Sequence, residues 1–232
     1  MYNRILLKLS GEALAGDKKT GIDPDVVDSI CEKVLAIVKK GVQVGIVIGG
    51  GNFWRGRNGY NMESTTSDYM GMLATVINAL ALKDALENKC VKTAVETSIS
   101  MIQIAETYTK RGTEKHFENG EVVIFGAGTG HPFFSTDTCA ALRAAEIKAD
   151  AILVAKTIDG VYSADPKVDP TAVKYDEITY TEVLNKDLKV MDAAAIAICR
   201  DNNIPLVVFA LENTENIIKI IDGQNIGTIV KK

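Results

Sequence analysis

Three closely spaced glycines near the middle of the chain form a segment that could bind a phosphate group. The segment 126–137 reads GAGTGHPFFSTD and directly follows an apolar run, 122–125, that is typical of a buried strand. Glycines at this position let backbone N–H groups approach a ligand closely. Ser135 and Thr136 are good N-cap residues for the Ala-rich segment that follows, so the free N–H groups of a helix start would face an anion there. The same pattern is also typical of an ordinary capped strand-to-helix turn.

Two other predicted strand ends carry residues that suit an anion. KLSG at 8–11 places Lys8 beside a Ser-Gly turn, where a lysine can reach a phosphate as a point charge. GGGN at 49–52 follows the near-continuous apolar run 42–48, which is typical of a parallel strand buried on both faces. Arg55 lies just beyond these glycines and could bind phosphate oxygens through its guanidinium fork. A surface Lys8 and a solvated Arg55 are the simpler interpretations of each motif alone.

The composition is that of an ordinary globular protein. The chain has 232 residues, of which 47% are apolar and 24% charged, and this length can bury a core without disulfides or metals. The net charge of −4 and the lack of blocks of like charge argue against a nucleic-acid partner. No continuous apolar run approaches the roughly 20 residues of a membrane span. The first apolar run begins within four residues of Met1 and leaves no room for a signal peptide, so we expect a cytoplasmic protein with no membrane partner.

The cysteines do not form a recognisable metal-binding or redox motif. No two of them are spaced as CxxC, and only His116 and His131 could join them as nitrogen ligands. We therefore expect reduced, buried thiols at Cys31, Cys90, Cys139 and Cys199.

Apolar runs, glycine-rich turns and helical segments alternate along the chain. This alternation predicts an α/β fold with a parallel sheet and ligands at the carboxyl ends of its strands. Strands are predicted at 5–9, 42–48, 91–95, 122–125, 150–155, 205–209 and 226–230. Helices are predicted from the Asp23 cap and Pro24 to about 40, and at 65–87, 100–110, 138–146, 182–184, 192–202 and 214–221. The segment 111–120 is predicted as a loop and 166–175 as a polar arm punctuated by prolines.

Neither standard nucleotide-binding signature is present. The pattern GxxxxGK[ST] does not occur, and GAGTGH fails GxGxxG because His131 occupies the last glycine position. This argues against a P-loop kinase and against a Rossmann dehydrogenase. The three phosphate-capable segments, together with Arg55, Lys156 and several acids, would instead suit two phosphorylated groups.

Six blocks spread over nearly the whole chain resemble, in order, the amino-acid-kinase superfamily and, within it, the bacterial uridylate kinases. They are KLSGEAL at 8–14, GGGNFWRG at 49–56, DYMGMLATVINALALKDAL at 68–86, GTGHPFFSTD at 128–137, DGVYSADP at 159–166 and VMDAAA at 190–195. The resemblance implies a three-layer αβα sandwich with a mainly parallel central sheet. It implies one domain, 1–232, with an acceptor-binding part at roughly 1–150 and an ATP-binding part at roughly 151–232.

The resemblance also implies an activity and its ligands. The expected reaction is transfer of the γ-phosphoryl group of ATP to UMP, giving UDP and ADP for pyrimidine biosynthesis, with Mg²⁺ arriving on ATP. A homohexamer, activation by GTP and inhibition by UTP are further expectations. The implied GTP segment is Gly16, Asp17, Lys18, Lys19, Thr20 and Gly21, which the residues alone predict to be a mobile surface loop.

Each family contact falls on a matching position of this chain. The implied ATP contacts are Lys8, Leu9, Ser10, Gly11, Gly51, Arg55, Tyr162 and Asp165, with either Lys156 or Thr157 as a further one. The implied UMP contacts are Gly50, Asp68, Thr129, Gly130, His131, Pro132, Phe133, Phe134, Ser135 and Thr136. Asp68 would accept hydrogen bonds from the ribose hydroxyls, and Tyr162 would line the adenine pocket.

The expected chemistry is electrostatic. The phosphate of UMP has a second pKa near ~6 and is largely ionised at neutral pH, so its oxygen needs no general base. Lys8, Arg55, the helix start at Asp137 and Mg²⁺ would neutralise charge on the transferred group. Asp137 either orients Lys8 or the metal shell, or stabilises its helix. Asp192 either supports the site from the second half of the chain or caps a helix.

One departure and two alternatives complete the sequence interpretation. His131 stands where many relatives carry asparagine, which would alter hydrogen bonding near the acceptor and its pH dependence. A carboxylate or carbamate kinase of the same fold is one alternative, but it would not need the segment PFFSTD. A non-catalytic nucleotide-binding or storage protein is the other, but it would not need the cations Lys8 and Arg55.

Overall fold

A nine-stranded sheet with helices on both faces runs through the residues that the computed structural model describes, 2–55, 62–211 and 214–232. Gly56, the last residue of the predicted block 49–56, lies outside them. The strands are β1 Arg4–Leu9, β2 Gln43–Ile48, β3 Thr93–Thr97, β4 Glu106–Thr107, β5 Val122–Gly126, β6 Ala151–Lys156, β7 Val161–Tyr162, β8 Lys174–Tyr175, β9 Glu177–Thr179, β10 Leu206–Ala210 and β11 Thr228–Lys231. The α-helices are α1 Gly11–Ala15, α2 Pro24–Lys39, α3 Ser64–Asn88, α4 Lys110–Glu118, α5 Thr136–Glu146, α6 Tyr180–Asn185, α7 Ala193–Asn202 and α8 Thr214–Ile221.

The strand order of the sheet is β4-β3-β5-β2-β1-β6-β10-β11-β9. Neighbouring strands are parallel except for the antiparallel pair β10 and β11. Strands β2, β3, β4 and β5 lie on one side of β1, and β6, β9, β10 and β11 lie on the other side. The boundary between β1 and β6 is therefore a topological switch point, where open α/β sheets bind ligands at the carboxyl ends of their strands. The predicted α/β class with a mainly parallel sheet is confirmed.

Alternating side chains of the central strands fill two separate cores. In β1, Ile5, Leu7 and Leu9 pack with residues of α2, α3 and α8. Leu6 packs on the opposite face with residues of α5, α6 and α7. Because helices cover both faces of the sheet at β1, the sequence of this strand is almost continuously apolar. This three-layer αβα arrangement leaves the carboxyl ends of the strands as an uncovered edge on which a site can form.

The helices that flank this edge begin at capping residues that the sequence predicts. Asp23 accepts a hydrogen bond from the N–H of Asp25 at 3.1 Å, and Pro24 occupies the first turn of α2. Ser135 accepts from the N–H groups of Asp137 and Thr138 at 2.9 and 3.3 Å. Ser135 is therefore the N-cap of α5, and Thr136 is the first helical residue.

The predicted helix at 100–110 and the predicted loop at 111–120 are both wrong. Turns and the short strand β4 replace the helix, and α4 occupies most of the loop. Helix α4 begins at the cap Thr109, whose side chain accepts from the N–H of Gly112 at 3.0 Å. Only Thr113 and Phe117 of α4 are buried. Such a short and polar helix has only a weak apolar period in its sequence. The capping residue Thr109 was therefore a better indication of the helix than its apolar residues.

Helix α3 is present at the predicted position, and it begins at the cap Glu63. Its apolar residues Tyr69, Leu73 and Leu80 are exposed. Its buried apolar side chains include Met72, Val76, Ala79, Leu82 and Leu86.

Length and composition alone would allow α3 to cross a bilayer. An 18-residue window of this 25-residue helix has a mean hydropathy of 1.2, although polar residues interrupt its apolar run. The share of that window buried inside the fold is 44%, and its buried side chains pack on α2, β3 and β5. Helix α3 is thus a core helix of the α/β fold.

The cysteines are free thiols, as expected, but they are not all buried. Cys31, Cys139 and Cys199 are buried, and burial raises the pKa of each thiol to about 12. Cys90 is exposed, contrary to prediction, because it lies in the turn after α3 with a φ of 61°.

Candidate active site

The glycine-rich turns after β1 and β2 pack directly on one another. A methyl group on Gly11 would lie 2.5 Å from the carbonyl oxygen of Gly49 and 2.7 Å from the nitrogen of Gly51. A methyl group on Gly50 would lie 2.7 Å from the carbonyl oxygen of Gly71 in α3. Real Cβ atoms do not make such contacts, so these glycines bring backbone to backbone. The two predicted phosphate-binding segments therefore form one continuous surface.

An ion pair lies where this surface meets the start of α5. Lys8 Nζ and Asp137 Oδ1 are 2.5 Å apart, and their side chains are 12% and 22% exposed. Lys156, at the end of β6, donates from Nζ to the carbonyl oxygen of Lys189 at 2.9 Å. Burial and the nearby charge of Lys8 lower the pKa of Lys156, and Asp137 partly offsets this. Lys156 thus interacts electrostatically with both members of the Lys8–Asp137 pair, and two ammonium groups lie near one carboxylate.

The larger of two cavities beside this ion pair, about 450 Å³ in volume, opens beyond the ends of β6 and β10. It is lined by Lys156, Thr157, Tyr162 and Asp165, four of the predicted ATP contacts. Tyr162 lies on the β7–β8 hairpin, and its hydroxyl donates to Asp159 Oδ1 at 2.7 Å, which raises the pKa of Tyr162. The structure places both Lys156 and Thr157 at this cavity, so the two alternatives considered for the ATP contact lie together.

A smaller cavity, about 150 Å³ in volume, reaches Thr136, the residue before Asp137. It is lined by Gly50, Asp68, Phe134 and Thr136, four of the predicted UMP contacts. Asp68 Oδ2 accepts a hydrogen bond from the N–H of Phe133 at 2.7 Å. The first turns of α3 therefore hold the segment that follows β5.

The rest of that segment forms a tight turn. Thr129 Oγ1 and the backbone of His131 lie 3.2 Å apart, and Gly130 has a φ of 79°. Pro132 follows, and the side chain of Phe133 is 77% exposed. A third cavity of about 500 Å³ opens beside the turn and is lined by Ser98, Tyr108, Thr129, His131, Phe134, Thr138, Leu142, Arg143 and Ile198.

Asp192 connects the two halves of the chain at this edge. Its carboxylate accepts from the N–H of Ala195 at 2.8 Å, as the N-cap of α7. It also accepts from Thr138 Oγ1 at 3.0 Å and from the hydroxyl of Ser135. Asp192 therefore caps one helix and holds the capped end of another.

Arg55 and its neighbours on α1 occupy the rim of the site. Arg55 Nη2 is 2.9 Å from Glu12 Oε1, and about half of each side chain is exposed. An exposed pair of this kind is weak, so a phosphate can replace the carboxylate. Ser10 caps α1 by accepting from the N–H of Ala13 at 3.2 Å, whereas the Leu9 side chain is fully buried in the core.

Two buried asparagines support the glycine turns; the sequence placed Asn52 in the segment 49–52 without this supporting role, and it gave no role to Asn78. Asn78 of α3 donates to the carbonyl oxygen of Gly49 at 2.7 Å and exchanges amide hydrogen bonds with Asn52 at 2.8 and 2.9 Å. Asn52 also donates to the carbonyl oxygen of Gly21 at 2.7 Å, and Gly21 N–H donates back at 3.0 Å. An asparagine inside a helix as apolar as α3 was the available signal, since a buried amide needs partners.

The predicted GTP segment 16–21 includes a 3₁₀ turn, Gly16–Lys18, whose residues are exposed. Lys18 Nζ lies 3.3 Å from Asp23 Oδ2, the cap of α2. Through Gly21 and Asn52, the end of this segment is bonded directly to the glycine turn after β2. The segment is thus anchored at its end and is in contact with the site.

Fold and site together define an α/β protein with two cavities and a lysine–aspartate pair at the carboxyl ends of its parallel strands. The profile of the amino acid kinase family matches residues 3–210, and the chain belongs to that family. The UMP kinase of Bacillus anthracis is similar at 38% identity, with a TM-score of 0.96, over 99% of this chain and 96% of that one. The UMP kinase of Ureaplasma parvum is similar at 41% identity, with a TM-score of 0.94, over the full length of both chains. The uridylate kinase of Archaeoglobus fulgidus is similar at 29% identity, with a TM-score of 0.74, over 97% of this chain and 99% of that one.

Proposed function

We propose that this protein is an ATP-dependent kinase that phosphorylates UMP to UDP. The observation that carries the proposal is that the Lys8–Asp137 pair is linked to two cavities through neighbouring residues. Thr136, next to Asp137, lines the smaller cavity, and Lys156, whose charge interacts with both members of the pair, lines the larger one. The likeness to two UMP kinases over nearly their whole length supports UMP as the acceptor.

In this proposal ATP occupies the cavity that Lys156 and Tyr162 line. Its volume of about 450 Å³ lies within the usual range of small-molecule sites, about 300–1,000 Å³. Tyr162 and Asp165 line the end near the β7–β8 hairpin, which suits the nucleoside, while Lys156 suits the phosphates. In this arrangement the γ-phosphoryl group faces Lys8.

UMP occupies the smaller cavity. A carboxylate can accept several hydrogen bonds, so Asp68 can hold the ribose hydroxyls while it accepts from the N–H of Phe133. The turn 128–131 supplies backbone groups to the base, and the phosphate lies toward Gly50 and the start of α5. The positive end of the α5 helix dipole favours an anion there.

Catalysis in this proposal consists of positioning and charge neutralisation. The acceptor oxygen is already ionised, so no residue removes a proton. Lys8 neutralises charge on the transferred phosphoryl group, Asp137 orients Lys8, and Arg55 leaves Glu12 to bind phosphate oxygens. Mg²⁺ would supply further charge neutralisation. The partly exposed carboxylate of Asp137 is an oxygen ligand of the kind that Mg²⁺ prefers.

Assembly and regulation form a further part of the proposal. Residues 1–150 bind the acceptor and residues 151–232 bind ATP within one domain, because a single sheet runs through both parts. The active form is a cytoplasmic homohexamer. Its subunit contacts include the exposed apolar residues Tyr69, Leu73, Ile77 and Leu80, which form a stripe along α3. GTP activates through 16–21, whose end is bonded to the glycine turn through Asn52, and UTP inhibits.

The test is ATP consumption and product formation by the purified protein with UMP, CMP, aspartate, glutamate or carbamate as the only acceptor. We expect UMP to be the preferred acceptor, since a site that hydrogen-bonds one base edge can reject another base by up to ~10⁴-fold. Turnover with aspartate, glutamate or carbamate but not with UMP would identify a carboxylate or carbamate kinase. Nucleotide binding without turnover of any acceptor would identify a storage or sensor protein.

A further inference from the structure

Ser98, the residue after β3, contacts all three glycines of the turn 126–130, which are Gly126, Gly128 and Gly130. Its N–H donates to the carbonyl oxygen of Gly126 at 3.2 Å, and its hydroxyl donates to the carbonyl oxygen of Gly128 at 2.7 Å. A methyl group on Gly130 would lie 3.1 Å from both Cβ and the carbonyl oxygen of Ser98. The side chain and backbone of Ser98 therefore hold this turn in place.

The turn that Ser98 holds forms a wall of the proposed UMP site. Gly128 lines the smaller cavity, and Thr129 lines the adjoining one. Gly128 and Gly130 both have left-handed backbone, with φ of 53° and 79°. Glycine does not prefer this conformation over others, so outside contacts must select it. Loss of the bond from Ser98 would let the wall of the cavity move.

The direction of that hydrogen bond is set by Arg143 of α5. Arg143 is 4% exposed, and its Nη2 donates to Ser98 Oγ at 2.9 Å. A guanidinium group can donate hydrogen bonds but cannot accept them. The Ser98 hydroxyl must therefore accept from Arg143, and its single proton is directed to the carbonyl oxygen of Gly128.

Arg143 is itself locked in place. Its Cζ lies 3.5 Å from the centroid of the Tyr108 ring, and its Nη1 pairs with Glu146. The Tyr108 hydroxyl donates to the same carboxylate oxygen of Glu146 at 2.7 Å. This network leaves Arg143 Nε buried without a hydrogen-bond partner among the described residues. A buried guanidinium with an unsatisfied N–H costs stability, so packing alone would be better served by an apolar side chain.

We infer that Ser98 and Arg143 are positioning residues that set the affinity for UMP through the conformation of the turn 126–130. The inference rests on the proposed function. Neither residue is assigned to the ATP cavity or to the transferred phosphoryl group, so their loss should weaken the acceptor side selectively.

Steady-state kinetics of Ser98→Ala with each substrate varied in turn tests the inference. We expect the KM for UMP to rise roughly five- to tenfold, as loss of one or two hydrogen bonds predicts. The KM for ATP and kcat should stay within about twofold. Ser100→Ala is the matched control, because its exposed hydroxyl lies two residues away and contacts Thr107 and not the turn. Its kinetics should equal those of the wild type.

Arg143→Met and Arg143→Lys extend the test. Met should reproduce the change in the KM for UMP, and Lys should partly restore the KM because it keeps a donor without the planar fork. If Arg143→Met does not fold, Ser98→Ala still decides.

The possible results separate the inference from the proposed function. A wild-type protein that does not phosphorylate UMP would overturn the proposed function and the inference together. An active wild type with an unchanged KM for UMP in Ser98→Ala would overturn the inference alone. Equal increases in the KM values of both substrates, or a fall confined to kcat, would overturn it as well.

Discussion

The ammonium group of Lys8 and the carboxylate of Asp137 lie 2.5 Å apart, where the end of β1 meets the first turn of α5. The pair joins two elements that are far apart in sequence, and it lies at the switch point of the sheet. Because Ser135 provides the N-cap of α5, Asp137 is not needed for that purpose. The carboxylate of Asp137 thus holds the charge of Lys8 in place, and as an acidic residue in the first turn it also suits the helix dipole of α5.

Replacement of Lys8 by alanine should lower kcat by about 100-fold or more, because a charge directed at the transferred group is lost. The KM for UMP should change far less, since Lys8 acts on the transition state more than on the bound acceptor. Steady-state kinetics with UMP and ATP measures both. Lys83→Ala is the control, because Lys83 forms an i,i+4 pair with Glu87 on the exposed surface of α3. An unchanged kcat in Lys8→Ala would remove Lys8 from the mechanism.

Asp137→Asn should abolish most of the activity and leave the Tm nearly unchanged. The amide cannot balance the charges of Lys8 and Lys156, but the cap of α5 remains intact at Ser135. The comparison variant is Ser135→Ala, which should lower the free energy of unfolding by ~1 kcal/mol through loss of the cap. Activity assays and thermal melts of both variants decide between the two roles. Full activity with a lower Tm in Asp137→Asn would show that Asp137 is structural.

Asp192→Ala should lower the free energy of unfolding by about 1–2 kcal/mol, because Asp192 caps α7 and accepts from Ser135 and Thr138. Asp192→Asn should restore most of this stability, since asparagine caps helices as well as aspartate does. Urea unfolding of the two variants measures the difference. If Asp192→Ala is as stable as the wild type, these hydrogen bonds do not contribute to the fold.

The sequence predicts the parts of the site that follow from local rules. Apolar runs buried on both faces predict the central strands, and the glycines at 49–51 and 126–130 predict where the backbone must make close contacts. Ser135 and Asp23 predict their helix starts through capping. Strand ends in a parallel sheet meet at one edge, so the convergence of these segments followed from the fold class.

What the sequence does not reveal depends on contacts between distant residues. Asn78 and Arg143 look like isolated polar residues in helices, and only the folded chain shows that they hold glycine turns. Helix α4 was missed because only one of its faces is weakly apolar. The exposure of Leu73 could not be predicted either, since apolar residues lie all around α3 and their spacing does not show which face the fold covers.

The stripe on α3 predicts self-association. The residues of this stripe, Tyr69, Leu73, Ile77 and Leu80, follow helical spacing and are each 36–51% exposed. A contiguous apolar surface of this kind is unusual on a monomer and is typical of a protein–protein contact. Ile77→Glu should therefore reduce the assembly to a smaller species, as measured by sedimentation equilibrium. Val168→Glu, at an apolar residue 80% exposed outside α3, should leave the assembly unchanged. A wild-type protein that sediments as a monomer would contradict the expected role of the stripe.

His116 lies among three carboxylates away from the site. Its Nδ1 is 2.5 Å from Glu121, and its Nε2 is 3.4 Å from Glu106 and 4.0 Å from Glu96. Burial lowers the pKa of His116, but the carboxylates of Glu121, Glu106 and Glu96 outweigh it and raise the pKa above 6.5. The protonated ring joins β3, β4 and α4, so its charge state should affect the stability of this edge of the sheet.

The raised pKa of His116 predicts how stability depends on pH. The folded state keeps the proton above pH 6.5, where the unfolded chain has lost it, so the stabilisation is complete below pH 6.5 and is lost as pH rises through the folded-state pKa. His116→Gln should therefore flatten the decrease in unfolding free energy above pH 6.5. His131→Gln is the control, because His131 is the only other histidine and is exposed. Urea unfolding at several pH values measures the slopes, and equal slopes for His116→Gln and the wild type would show that His116 does not retain its proton on folding.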